Sequence, residues 1–175
     1  TVTYTPDSNW NGTDTFTYKA NDGTADSNTA TVTVTVAAVN DAPVSSAVSA
    51  STNEDTAKAI TLSATDVDGD NLTYSIVSNP SNGSFGSVSG ASVTYTPDSN
   101  WNGTDTFTYK VNDGDEDSNT STVTVTVAAV NDAPVSSNVS ASTDNETDKA
   151  ITLSATDTEG SSLTYSVVSD ASNGT

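Results

Sequence analysis

The side chains of this chain best suited to chemistry are carboxylates. One run of them is Asp66-Val67-Asp68-Gly69-Asp70-Asn71. Three carboxylates at alternate positions of one loop converge if the loop curls, and calcium takes about six to eight oxygen ligands from carboxylates, carbonyls and water. The loop is not an EF-hand. Its glycine, Gly69, stands at the fourth position rather than the sixth, and the twelfth position is Val77 rather than a glutamate. The competing reading is a solvated hairpin turn, for which Asp, Asn and Gly are also the ordinary residues. Sequence alone leaves both open.

Catalysis is a poor fit. The chain has no His and no Cys, and its four basic residues are the lysines Lys19, Lys58, Lys110 and Lys149. General acid–base work would fall on carboxylates or lysine, and no buried carboxylate pair is indicated, so the chain is not expected to be an enzyme. Lys19 and Lys110 share strands with Phe and Tyr, which permits a lysine–asparagine isopeptide bond. The plainer reading is solvent-side lysines that discourage edge-to-edge aggregation. Trp10 and Trp101 occupy matching loops, as anchors of the loop on the domain or as sugar-stacking rings. Asn-x-Ser/Thr occurs at Asn11, Asn71, Asn82, Asn102, Asn119, Asn138, Asn145 and Asn173, an acceptor pattern for glycans on surface loops.

Composition narrows the partners. With 23 Asp+Glu against 4 Lys+Arg the formal net charge is −19, and the sequence pI is near 4.1. That balance repels nucleic acid and anionic membranes and attracts cations. The apolar runs are short and interleaved with Thr, so no membrane insertion is expected. Without cysteine there is no disulfide framework. No signal peptide is visible, nor would one be in a chain that begins part-way through a domain.

The elements that must position these groups are organised around one stretch, Ala37-Ala38-Val39-Asn40-Asp41-Ala42-Pro43-Val44, which returns unchanged as Ala128 to Val135. In each copy a Val/Thr alternation stops, an acidic hinge follows and a new pattern begins. Pro43 and Pro134 fix φ and remove a donor, so a strand ladder ends there. The offset is 130 − 39 = 91 residues, and aligning residues 1–84 on 92–175 gives 66 identities in 84 positions. A period this long suits a whole small domain rather than a solenoid coil. The expected division is the C-terminal half of one repeat at 1–41, a complete repeat at 42–132 and the N-terminal half of another at 133–175. Half a sandwich cannot bury a core alone. The expectation is a window on a longer covalent array, with the alternative that each end completes a neighbouring chain's domain.

Within a repeat the signals are those of strands. Thr1 to Thr5 alternates into a turn at Pro6-Asp7. Asp14 to Ala20 puts Phe16 and Tyr18 on one face, and Thr31 to Val36 alternates Thr with Val, as a sheet with one wet face does. Val44 to Thr52 reads as an edge strand and Ala59 to Ala64 points Ile60 and Leu62 inward. Leu72, Tyr74 and Ile76 mark the next strand, and Ser84 to Val88 a short one. About seven strands per repeat, with frequent turns and no helical period, predict an all-β chain of tandem immunoglobulin- or cadherin-like antiparallel Greek-key sandwiches.

Three motifs carry a family resemblance: the Val-Asn-Asp-Ala-Pro joints, the loop Ala64 to Tyr74, and Val93-Thr94-Tyr95-Thr96-Pro97-Asp98 running through Asn102-Gly103 to Phe107-Thr108-Tyr109. They resemble the bacterial tandem-95, cadherin-like repeats of long secreted and surface proteins, many of them adhesins. Eukaryotic cadherins share the logic more distantly, holding calcium at each joint. Carried over, the resemblance implies that the first joint uses Asn40 and Asp41 with Asp66, Asp68 and Asp113, Asp70 lying in the same loop. The second would use Glu54, Asn131, Asp132, Asp157 and Glu159. Departures imply fewer ions than in a cadherin: linkers there begin with aspartate where this chain has Ala38 and Ala129, and the last loop replaces Asp68, Asp70 and Asn71 by Glu159, Ser161 and Ser162.

The resulting expectation is an extracellular or cell-surface extender repeat, stiffened by calcium and joined head to tail to copies of itself, in a covalent array or a fibre made by strand donation. The alternative is an adhesive module, as in biofilm adhesins, binding carbohydrate or a host or matrix surface.

Overall fold

The computed structural model describes residues 1–174. It begins with an antiparallel pair, β1 (Gly12–Tyr18) and β2 (Ala30–Val36), in register from Gly12↔Val36 to Tyr18↔Ala30. Nine strands follow between the two joints: β3 (Val44–Ser46), β4 (Val48–Asn53), β5 (Lys58–Thr61), β6 (Ser63–Thr65), β7 (Thr73–Ser78), β8 (Gly83–Phe85), β9 (Ser92–Pro97), β10 (Gly103–Asn112) and β11 (Ser121–Ala128). Beyond the second joint β12 (Val135–Ser137) and β13 (Ser154–Thr156) pair with each other. Among the described residues there is no helix.

The fold class is the one the alternation predicts, an all-β Ig-like sandwich. One sheet has the order β4-β11-β10-β7 and the facing sheet the order β5-β9-β8, with β3 and β6 paired at its margin. Most pairings are antiparallel. The exception is β4 on β11, parallel from Val48↔Val123 to Asn53↔Ala128. That pairing means the chain enters this module at one end and leaves at the other.

The core sits between the sheets because the inward series of β9, β10 and β11 is mostly apolar, Asp105 and Ser121 being its polar members. Ile60, Leu62, Val93 and Tyr95 meet Phe107, Tyr109, Val111, Val123, Val125 and Val127, all at most 3% exposed. Phe85 packs edge-on against Phe107 with centroids 5.1 Å apart, and Tyr74 stacks on Tyr109 at 6.4 Å. Both buried tyrosines find polar partners. The Tyr109 hydroxyl lies between the carbonyls of Ser46 and Ser63, at 2.5 and 2.6 Å. The Tyr95 hydroxyl donates to Asp105 Oδ2 at 3.1 Å.

Asp105 is a charged group on the inward face of β10, 4% exposed. It accepts from the backbone N–H of Ser81 (3.0 Å), Asn82 (2.9 Å) and Thr106 (2.9 Å) as well as from Tyr95. Burial pushes its carboxyl up. These four donors outweigh that and hold it below the usual carboxylate range.

Two expected strands are broken. Val44 to Thr52 divides into β3, which pairs with β6, and β4, which crosses to the other sheet. Ala59 to Ala64 divides at Leu62, whose N–H turns to Ala91 O at 2.7 Å. One expected strand is missing altogether: Thr1 to Thr5 is not in a ladder, although its counterpart β9 is. β9 forms between β5 and β8, and residues 1–5 have no such neighbours. The same cause leaves the counterparts of β4, β5 and β7 in 139–169 without strand structure.

Candidate metal centre

Strand pairing brings the acidic loops to the joints. Val44 pairs with Thr65, so the residues just before β3 lie beside those just after β6, which are Asp66 to Asp70. Asn112 pairs with Thr73, so the loop after β10 flanks the same place. Val135↔Thr156 repeats the first of these arrangements at the second joint. Pro43 and Pro134 stand one residue before β3 and β12, where a ladder donor is not needed.

At the first joint the named residues meet. Asn40 Nδ2 donates to Asp113 Oδ2 (3.0 Å), and the Asp41 N–H donates to Asp68 Oδ2 (2.7 Å). Asp66 Oδ1 accepts from the N–H of Gly69 (2.8 Å) and Asp70 (3.1 Å), which curls the loop, with Gly69 at φ +81°. One oxygen from each of Asp66, Asp68 and Asp70 lies within 4.8 Å of the others. Asp66 Oδ2 is enclosed with no hydrogen-bond partner. Asp70 is pushed above the usual carboxylate range by desolvation, then by Asp66, Asp68, Asp113 and Asp115. Asp113 is held below that range by the N–H of Glu116, the Asn40 amide and the N–H of Asp115.

At the second joint Glu54 is 3% exposed, reached across the end of the sandwich. Its N–H donates to Ala128 O at 2.9 Å, and its Oε1 accepts from the N–H of Val130. Its Oε2 is enclosed and has no partner. The Asp132 N–H donates to Glu159 Oε2 (2.9 Å), as Asp41 does to Asp68, and the Ser161 N–H donates to Asp157 Oδ1 (2.8 Å). Asn131 is exposed, and its amide donates to the Asp132 carbonyl at 3.0 Å. Desolvation raises the Asp132 carboxyl first, and Glu159, Asp55, Glu54 and Asp157 raise it further.

Three participants escaped the sequence reading. Asp115 belongs to the first joint, beside Asp70. Asp55 and Asn100 belong to the second. The Asn100 N–H donates to Asp55 Oδ1 (3.1 Å), and its amide, oriented by the surrounding acceptors, reaches Asp132 Oδ2 (2.9 Å) and Asp55 Oδ2 (3.2 Å). Asp55 and Asn100 both take positive φ, 57° and 55°. Asn and Asp tolerate that conformation better than other side chains, which is the signal that could have singled them out.

A buried carboxylate oxygen with no donor is costly unless something positive completes it. Glu54 Oε2 and Asp66 Oδ2 are such atoms. Asp66, Asp68 and Asp70 converge to within 4.8 Å at the first joint, and at the second Glu159, Asp55, Glu54 and Asp157 all act on Asp132, so the groups at both joints are hard oxygen donors. Soft-metal ligands are absent, since the chain has no His, Cys or Met. This donor set fits a hard divalent cation.

Four of the other marked residues have plain structural roles. Lys110 pairs with Asp117 and Lys19 with Asp26, both at the surface. The Trp101 ring covers Gly103, where an added Cβ would lie 3.0 Å from Cζ2. The amide of Asn119 is engaged with Ser45 on both sides, Oδ1 accepting from its N–H and Nδ2 donating to its carbonyl.

A family model described as a bacterial Ig domain matches residues 1–35 and 40–126. The chain belongs to the bacterial Ig domain family. The gap between the matched segments falls on the first joint. Membership in this Ig family points to a repeat module rather than an enzyme. No curated protein matches the chain. Among solved structures it is similar to the endo-fucoidan hydrolase MfFcnA4 from glycoside hydrolase family 107, at 23% identity and TM-score 0.44, over 69% of this chain and 19% of that one. It is also similar to the endo-fucoidan hydrolase MfFcnA9 of the same family, at 19% identity and TM-score 0.39, over 70% of this chain and 23% of that one. The bacterial Ig chain thus spans less than a quarter of either.

Proposed function

We propose that this bacterial Ig chain is an extender segment of an extracellular or cell-surface array, and that calcium stiffens its joints. The observation that carries the reading is Glu54 Oε2, enclosed and without a donor at the place where one module hands over to the next. Carboxylates of the preceding module (Glu54, Asp55) and of the following module (Asp157, Glu159) all act on the linker carboxylate Asp132. A bound cation would supply the positive charge that this cluster lacks. Without it, five like charges drawn from three segments oppose each other, and bending of the linker is the cheapest relief. With the ligand at a hundredfold excess over Kd, linkage stabilises the ordered joint by about 2.7 kcal/mol.

Repetition supports a spacer, since the same joint sequence recurs at an offset of 91 residues in a chain of one fold. At the first joint Asn40 and Asp41 supply the linker's part of the arrangement, and Asp66, Asp68, Asp70 and Asp113 the following module's. The test is calorimetric titration of the chain with calcium. The wild type is expected to bind, and Glu54→Gln to weaken one site at least tenfold. Absence of binding at millimolar calcium, or equal affinity in the variant, overturns the reading.

A further inference from the structure

We infer that the module between the joints is a tension-bearing clamp, in which the segment that enters it is fastened to the strand that leaves it, so that a pull on the two linkers shears this pair instead of unzipping it. The chain enters through β3 and β4 and leaves through β11. The β4–β11 pairing is the one parallel pairing among the described strands. An antiparallel pair would bring both linkers out at one end, where a pull opens the ladder one hydrogen bond at a time. In the parallel pair the linkers leave at opposite ends and the load runs along the strands. Six successive residue pairs, from Val48↔Val123 to Asn53↔Ala128, then carry it together.

Both ends of the pair are pinned. Ser45, two residues past Pro43, lies against the start of β11. Its N–H donates to Asn119 Oδ1 (3.0 Å), its hydroxyl lies 2.6 Å from Asn119 O and 2.8 Å from Ser121 Oγ, and its carbonyl accepts from Asn119 Nδ2 (3.1 Å). At the exit, Glu54 directly follows β4. Its N–H donates to Ala128 O (2.9 Å), and its Oε1 accepts from the N–H of Val130. The incoming linker is thus fastened to the leaving strand, and the outgoing linker to the residue that ends the entering one. Ser45, Ser121 and Glu54 are 4%, 8% and 3% exposed. Burial keeps water from competing for these bonds as they stretch.

The contribution of β4 to the sandwich is this fastening more than packing. It adds no residue to the fully buried core, and Val48 and Ala50 are only partly buried against it. It lies at the edge of its sheet with β11 as its one ladder neighbour. On its other side an open groove lined by Val48, Ala50, Lys58 and Ile60 separates it from β5. A pull that reaches β4 is therefore resisted mainly by β11. The clamp requires no cation, so it stands apart from the calcium reading.

The experiment is single-molecule stretching of the whole chain in excess chelator. The chain has no cysteine, so handles attach only where one is introduced. Ala42→Cys with Ala133→Cys pulls through the two linkers. Ala57→Cys with Ala133→Cys pulls β4 away from β11 at the end where both finish, and all three positions are exposed. Along the linker axis residues 44–128 are expected to open in one step, releasing at most about 280–310 Å for 128 − 43 = 85 residues. Forced unfolding follows the unfolding rate, and at equal force the linker-axis rate is expected to be at least about tenfold below the peeling rate. Asn119→Ala leaves the Ser45 N–H without its acceptor and is expected to raise the linker-axis rate about tenfold, and the peeling rate less than about twofold, since peeling starts at the far end of the pair. The comparison of axes decides the matter even if that variant fails to fold. Equal rates along the two axes, or an Asn119→Ala effect of the same size on both, overturns the inference.

Discussion

Replacing Asp105 by Ala removes the acceptor of four hydrogen bonds at once. Three backbone donors, from Ser81, Asn82 and Thr106, lose their partner inside the sandwich, while the Tyr95 hydroxyl keeps Asn82 O at 3.3 Å. A buried donor left unsatisfied costs about 1–3 kcal/mol. Relief from burying a charge offsets part of the sum, and the net loss is expected to be about 3–5 kcal/mol. A small domain has roughly 5–15 kcal/mol in all, so the variant module is left marginal. With a urea slope of about 1.5 kcal/mol/M, the midpoint should fall by about 2–3 M. Trp101 fluorescence in a urea titration reads it. Asp14→Ala is an internal control: it removes the same motif residue where it is exposed, and is expected to cost under about 0.5 kcal/mol at dilute concentration. If Asp105→Ala costs under 1 kcal/mol, or no more than Asp14→Ala, Asp105 is not the polar anchor described above.

Gly103→Ala sets a Cβ 3.0 Å from the Trp101 ring at φ +141°, and is expected to cost about 1–3 kcal/mol in the same titration. Lys110→Ala removes only a surface ion pair with Asp117 and should cost under about 1 kcal/mol. Acid stability follows Asp105. Its folded carboxyl titrates below the unfolded value, so its contribution is full above about pH 3.9 and is lost as pH falls through the folded value, which an acid titration of Trp101 fluorescence reads. Calcium affinity should follow Asp70 and Asp132 instead. Both sit above the usual carboxylate range, so protons begin to compete at a higher pH than for an ordinary aspartate, and calorimetry at stepped pH measures it.

Much of this was readable because the apolar residues alternate without interruption. Phe107, Tyr109 and Val111 on β10, and Val123, Val125 and Val127 on β11, could face only one way. Asp105 continues that inward series, and its burial was available from register alone. The breaks between β3 and β4 and between β5 and β6 were not, since a strand changes sheets according to which neighbour offers the better ladder, a long-range property. Thr1 to Thr5 makes the same point: nearly the sequence of β9, without the partners of β9, is not a strand. At the joints the loop from Asp66 to Asp70 announced itself by local density. Asp55 and Asn100 did not, because they reach Asp132 from turns distant in sequence, and only the fold places them together.

The most direct test of calcium-stiffened joints is small-angle scattering of the chain with calcium and again with excess chelator. An extended, rigid profile in calcium that becomes the profile of a flexible string on chelation is the expected result. Superimposable profiles would contradict the account, leaving the acidic loops as turns and the joints held by packing alone.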